Sequence, residues 1–237
     1  MNKPFKFKQF TLQQDRRAMK VGTDGVLLGA WTPLADRPDT ILDIGAGTGL
    51  IALMLAQRST AETIDAVEID GAAYEQCVEN FEASPWADRL FCYHASLDEF
   101  VAEMVTPYDL IVSNPPFFTE QVSSGDLSRD RARQNQSLPF EALVKGVATL
   151  LSPKGTFTVI LPFGEEQGFL EIATCAGLFA SRITRVKGSP KTAYKRSLIA
   201  FCRTTTDVSI DELTIETKRH EYTPAYITLT QDFYLKM

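Results

Sequence analysis

From residue 40 to residue 204 the chain alternates between short, β-branched apolar runs and stretches with helical apolar spacing. This alternation restricts its fold more than any other feature. The runs TILDIGA (40–46), ETIDAVEID (62–70), RLFCYHA (89–95), YDLIVS (108–113) and GTFTVILPF (155–163) read as strands. The segments GLIALMLAQRS (49–59), GAAYEQCVENFEAS (71–84), SLDEFVAEMV (96–105), LPFEALVKGVATLLS (138–152) and EEQGFLEIATCAG (165–177) read as helices, with Pro139 acceptable in a first turn. Two more β-like runs follow, LFASRITRVKG (178–188) and KRSLIAFCRT (195–204). Five βα units and then a hairpin imply an α/β fold: one doubly wound, seven-stranded, mostly parallel sheet with an antiparallel edge. Residues 1–35 precede the first unit and are expected to form an N-terminal cap on a domain spanning 36–237.

A chain of 237 residues can bury such a core. MNKPFKFKQF contains no apolar leader segment, and no run approaches the ~20 apolar residues of a membrane span, so a cytoplasmic protein with no membrane partner is expected. Cys77, Cys92, Cys175 and Cys202 make no C-x-x-C pair and there are 2 histidines, so no metal is expected. Cysteines in apolar surroundings read as core residues of a reduced cytosolic protein. The net charge of −6 argues mildly against a generic nucleic-acid binder but says nothing about where charge lies.

In doubly wound sheets ligands bind beyond the carboxyl ends of the strands. The first strand ends in DIGAGTG, with Asp43, Gly45, Gly47 and Gly49. Glycines allow positive φ and a close approach of ligand to backbone. Their spacing is G-x-G-x-G, not the G-x-G-x-x-G that cradles a pyrophosphate, which argues against a nicotinamide-dependent oxidoreductase. The second strand ends in VEID, placing Glu68 where a carboxylate can accept hydrogen bonds from both hydroxyls of a ribose. Loop and acid together suit an adenosine-containing cofactor. After the third strand, Ser96 either borders an adenine or caps the next helix, and the sequence leaves both open.

The fourth strand runs into NPPFF. Two prolines end a strand and fix two φ angles. Asn114 can accept a hydrogen bond through its side-chain oxygen and Pro115 through its carbonyl, Pro116 stiffens the turn, and Phe117 or Phe118 offers a ring face. Two acceptors beside a stacking surface suit a planar amine such as the exocyclic NH2 of adenine.

In their order and spacing, DIGAGTG, VEID and NPPF resemble class I S-adenosylmethionine-dependent methyltransferases, and the N-P-P-aromatic variant resembles those acting on planar amino groups. The flanks FKFKQFTLQQDRRAMKVGTDGVLLGAW (5–31), ARQNQSLPFEAL (132–143) and YTPAYITLTQDFYLKM (222–237) are similar to bacterial tRNA (adenine(37)-N6)-methyltransferases of valine tRNA. The resemblance implies a monomeric enzyme that takes S-adenosyl-L-methionine and methylates an adenine of a tRNA anticodon loop. Guanine N2 of ribosomal RNA or a glutamine side chain of a release factor is the alternative acceptor. By position, Asp43, Gly45, Gly47 and Gly49 would surround the methionine moiety, Glu68 would hold the ribose, and Asn114 to Phe117 the target base. The segment MKVGTDG (19–25) would close over the cofactor, with Lys20 either facing its carboxylate or only solvating a surface and Asp24 a further candidate, while Thr23 reads as a helix N-cap.

Local charge favours an RNA partner. Arg182, Arg185, Lys187, Lys191, Lys195, Arg196 and Arg203 fall in a stretch without an acid, and Lys187, Lys191, Lys195 and Arg196 could track a phosphate backbone. Lys3, Lys6, Lys8, Arg16 and Arg17 form a second basic group, and Arg129, Arg131 and Arg133 a third, of which Arg129 and Arg133 are RNA-contact candidates. Segment 119–137 is expected to order over the target nucleotide.

Overall fold

The computed structural model describes residues 3–15, 21–34, 36–116 and 138–237. Its centre is an eight-stranded sheet built from β3 (Thr40–Ile44), β4 (Thr63–Glu68), β5 (Leu90–His94), β6 (Tyr108–Ser113), β7 (Leu151–Pro162), β8 (Phe179–Lys187), β9 (Tyr194–Cys202) and β10 (Ser209–Thr214). The order across it is β10-β8-β9-β7-β6-β3-β4-β5. Strands β3 to β7 pair in parallel, and β9 runs antiparallel to both β7 and β8. The sheet therefore has the expected mostly parallel centre and antiparallel hairpin, with one strand more than the sequence suggested. That strand, β10, pairs in parallel with β8 at the edge. Its Ile210 is exposed while Leu213 is buried, so it lacks the continuous apolar run of a central strand.

Alternation along each strand feeds two cores. Ile41, Ile64, Ala66, Leu110, Val112 and Ile160 point to one face, Leu42, Ile44, Val67, Ile111 and Val159 to the other. The second face is covered by α4 (Leu97–Glu103), α5 (Phe140–Leu150) and α6 (Glu166–Cys175). Leu143, Val144, Val147 and Leu150 of α5 recur at helical spacing, and all four are buried.

The first face carries α1 (Thr23–Trp31), α2 (Leu50–Arg58), α3 (Gly71–Glu82) and α7 (Pro224–Thr230). Leu50 to Ala56 are all buried, as are Gly25 to Trp31, so α1 and α2 are apolar on every side. A helix of that kind must be covered all round. The two helices touch closely: a Cβ on Gly29 would lie 2.8 Å from the Met54 sulfur. The described N-terminal residues join the same core. The short strands β1 (Phe5–Lys6) and β2 (Thr11–Leu12) pair, and Phe7 bridges to Tyr234 near the C-terminus. Phe7, Phe10 and Leu12 are buried there. A last hairpin, β11 (Glu216–Lys218) with β12 (Glu221–Tyr222), precedes α7.

Two local readings differ from the structure. Strand β7 begins at Leu151, straight after α5, so LSPKG belongs to the strand, with a register shift opposite Tyr108 and Leu110. Thr23 is the first residue of α1 rather than its N-cap; Gly22 takes that place and no side chain caps the helix.

Candidate active site

The strand register places the sequence motifs on one rim. Ile44 lies opposite Ser113 on one side and Val67 on the other, and Glu68 lies opposite His94. The glycine turn, Glu68 and Asn114 thus leave the carboxyl ends of adjacent strands. The Ser113 hydroxyl donates to the Ile44 carbonyl at 2.9 Å, tying the ends of β6 and β3 together just before Asn114 and Gly45.

Within the turn, Gly45, Gly47 and Gly49 all have positive φ. Two of them serve different ends. Gly45 is exposed, and nothing lies within 4 Å of where a Cβ would stand. Gly49 is buried: a Cβ there would meet the Phe81 ring at 2.6 Å and the Cys77 sulfur at 2.9 Å. Gly45 therefore leaves room above the rim, while Gly49 lets α2 pack on α3.

Glu68 is buried and braces this turn. One carboxylate oxygen accepts from the Gly47 N–H and the other from the Asp70 N–H, each at 2.8 Å. A carboxylate oxygen has two lone pairs, so each keeps one for another donor. Asp43, fully buried beneath the turn, accepts from the Ala52 N–H at 3.2 Å through one oxygen. Its other oxygen has no partner among the described residues. Burial, with the nearby Glu68 charge adding to it, pushes the Asp43 carboxyl up to about 7 despite the Ala52 hydrogen bond.

Asn114 is partly exposed, and no described residue hydrogen-bonds its amide. Pro115 is buried and Pro116 exposed. Phe117, Lys20, Arg129 and Arg133 lie outside the described residues. Ser96 is engaged in a capping box on α4: its hydroxyl donates to Glu99 at 2.7 Å and accepts from the Glu99 N–H at 3.3 Å. Of the two readings the sequence left open for Ser96, the cap is the one the geometry displays. Asp24 and Arg196 pair with each other at 2.8 Å across α1 and β9.

The basic stretch is less free than its sequence suggests. Arg182 pairs with Asp211, Arg185 with Glu166 and Lys187 with Glu212, and Arg203 donates to the carbonyls of Ala148 and Leu151 at the opposite end of the sheet. Among the described residues no side chain pairs with the ammonium of Lys191 or Lys195, and both are exposed.

Asn80 was not identified from the sequence. Nearly fully buried on α3, it donates to the Thr48 carbonyl at 2.9 Å and exchanges hydrogen bonds with the Gln13 backbone at 2.8 and 3.0 Å. It fastens the glycine turn to the N-terminal segment. Its signal was an amide between Cys77 and Phe81 on the buried face of α3, which also carries Gln76.

Among the described residues no group of three or more His, Cys, Asp or Glu could hold a metal, and no helix is long and apolar enough to cross a membrane. A cavity of about 410 Å3 lies over the β8–β10 edge against α6, not beside Gly45.

Comparison with known proteins adds relatives. Residues 26–161 match the family of the methyltransferase small domain. A tRNA1(Val) (adenine(37)-N6)-methyltransferase of Flavobacterium johnsoniae is 60% identical over 98% of this chain and 100% of its own length. The protein of that name from Christiangramia forsetii is 59% identical over 100% of this chain and 99% of its own. That from Bacteroides fragilis is 49% identical over the whole of both. Among solved structures, a predicted O-methyltransferase of Agrobacterium tumefaciens superposes with a TM-score of 0.68 at 18% identity, covering 89% of this chain and 96% of the other. That last likeness concerns the fold alone.

Proposed function

We propose, because the chain belongs to the tRNA1(Val) (adenine(37)-N6)-methyltransferase family and carries its methyltransferase small domain, that the rim described above is where a methyl group passes to the N6 of adenine 37 of a valine tRNA. The observation that carries this reading to particular atoms is the Asn114 amide, which has no hydrogen-bond partner among the described residues. It stands one residue beyond Ser113, just past the end of the strand next to the open glycine turn.

The residues present fit S-adenosylmethionine as the methyl donor. Its cation and amino group would meet a rim holding two carboxylates, one with an orphaned buried oxygen at Asp43. Its ribose would find the remaining lone pairs of Glu68, and Gly45 leaves space for close approach. When bound, this cofactor supplies a methyl carbon already activated by a sulfonium charge.

The chain's own residues then orient and hold. The Asn114 side-chain oxygen accepts one N6–H, and the Pro115 carbonyl accepts the other. With both N–H groups held, the amine's lone pair is turned out of the ring plane toward the incoming carbon. No strong base is required: as the N6–C bond formed, the methyl's bond to sulfur would break and the proton left on the cationic N6 would pass to water, with positioning and fixed acceptors lowering the barrier. Ser113, locked to Ile44, keeps Asn114 at a fixed height beside the glycine turn.

The test is methyl transfer from labelled cofactor into a valine tRNA transcript. Label should enter the transcript carrying adenine at position 37 and not one carrying guanine there. Equal labelling of both, or labelling of a release factor in preference to tRNA, would overturn the reading.

A further inference from the structure

The same rim continues past Asn114 into an aromatic pair that the proposed transfer does not use. Phe163 follows the end of β7 and Tyr194 begins β9; their ring centroids lie 5.2 Å apart. Phe163 is 36% exposed, although it is large and apolar. The Arg185 guanidinium stands 5.6 Å from the Phe163 ring centre, and the Lys187 ammonium 5.4 Å from that of Tyr194. Both cations are themselves paired, Arg185 with both carboxylate oxygens of Glu166 and Lys187 with Glu212, which also takes the Tyr194 hydroxyl. A short turn links β8 to β9. There Thr192 closes on Ser189 through backbone and side chain; Lys191 in the turn and Lys195 at the start of β9 are exposed, with no partner among the described residues.

Register fixes how far this pair stands from the transfer site. Ser113 lies opposite Val159, so Phe163 sits three residues beyond the level of Asn114, about 10 Å at the rise of a strand. Tyr194 sits two strands over from β6, also about 10 Å at strand spacing. A purine whose amine rests on Asn114 does not span that separation, so the ring pair faces a different nucleotide.

We infer that Phe163 and Tyr194 form a stacking platform for a nucleobase next to the target adenine, with Lys191 and Lys195 on the adjoining phosphates. The inference rests on the RNA reading above and names how that substrate is held. Rings backed by cations stack any base, because every base has a π face, so the platform grips an unpaired loop without reading its sequence. The paired cations serve the rings, and Lys191 and Lys195 serve the phosphates.

The experiment uses the full chain and an anticodon stem-loop of valine tRNA with 2-aminopurine at the nucleotide beside the target. Wild-type chain should quench the probe on binding. In Phe163→Ala the quench should be lost and the KM for RNA should rise about tenfold, with kcat and S-adenosylhomocysteine affinity within twofold. Tyr194→Ala should act in the same direction, while Tyr194→Phe, which keeps the ring, should retain the quench. Unchanged KM and unchanged quench in Phe163→Ala would overturn the platform. Wild-type chain that quenches the probe but methylates no RNA would instead remove the activity reading and leave the platform standing. Phe163→Ala is the decisive variant because its ring is the more exposed, and urea unfolding confirms that it folds.

Discussion

Two glycines of one motif should respond to the same substitution differently, one chiefly in stability and the other chiefly in cofactor affinity. In Gly49→Ala the new methyl must take φ +81 and stand 2.6 Å from the Phe81 ring and 2.9 Å from the Cys77 sulfur. Left-handed backbone costs an L residue roughly 1–2 kcal/mol. Overpacking a filled core adds roughly 1–3 kcal/mol. The sum is about 2–5 kcal/mol of lost stability. In Gly45→Ala the backbone cost recurs at φ +74, but nothing lies within 4 Å of the methyl, so the loss should stop at about 1–2 kcal/mol. There the methyl fills the space proposed for the cofactor, and affinity for S-adenosylhomocysteine should fall at least about tenfold. Urea unfolding, with the m-value held constant, reads the first quantity. Calorimetric titration reads the second. Equal destabilisation by the two variants, or wild-type binding by Gly45→Ala, would refute the division of labour drawn here.

Asp43 makes stability pH-dependent. Its carboxyl titrates near 7 in the folded chain and near 3.9 when unfolded, so between these values the folded state holds the extra proton and stability should fall as pH rises. Asp43→Asn should flatten that slope, which is at most about 1.4 kcal/mol per pH unit, and an unchanged slope would contradict the assignment. Asn114→Ala should cut kcat roughly 10²–10³-fold, leave S-adenosylhomocysteine affinity within about twofold and barely alter stability, since no described residue bonds its amide. A matching loss of cofactor affinity would deny it the acceptor role. Lys191→Ala with Lys195→Ala should leave urea unfolding unchanged and lower the salt slope of RNA binding by about 1.4. Arg185→Ala should instead cost roughly 1–3 kcal/mol, because the partly exposed Arg185 leaves the buried Glu166 with Ser197 as its remaining donor, as the same unfolding assay would reveal.

The parallel core was legible because buried strands are written as apolar runs and amphipathic helices as spaced ones. Both signals lie within a single segment. What failed to show depended on partners far away in sequence. Strand β10 is an edge strand whose Ile210 faces out, so its run looks half polar. The stretch from Arg182 to Arg203 holds no acid of its own, yet Asp211, Glu166, Glu212 and Asp24 reach most of its cations from other elements. Linear counting overstated the free charge and left Lys191 and Lys195 indistinguishable from their neighbours. At the rim, motif spacing pointed to Glu68 and Asn114, but not to the use of both Glu68 oxygens in bracing the turn. Nor could it find Asn80, whose partners Gln13 and Thr48 lie far back in the chain.

Nucleoside mass spectrometry of the anticodon-loop fragment bears most directly on the claim that this rim presents an adenine amine to a methyl donor. After incubation of a valine tRNA with the chain and S-adenosylmethionine, N6-methyladenosine should appear at position 37 and be nearly absent when Asn114→Ala replaces the wild type. A methyl group on a ring nitrogen or on guanine, or undiminished N6-methyladenosine with the variant, would contradict it.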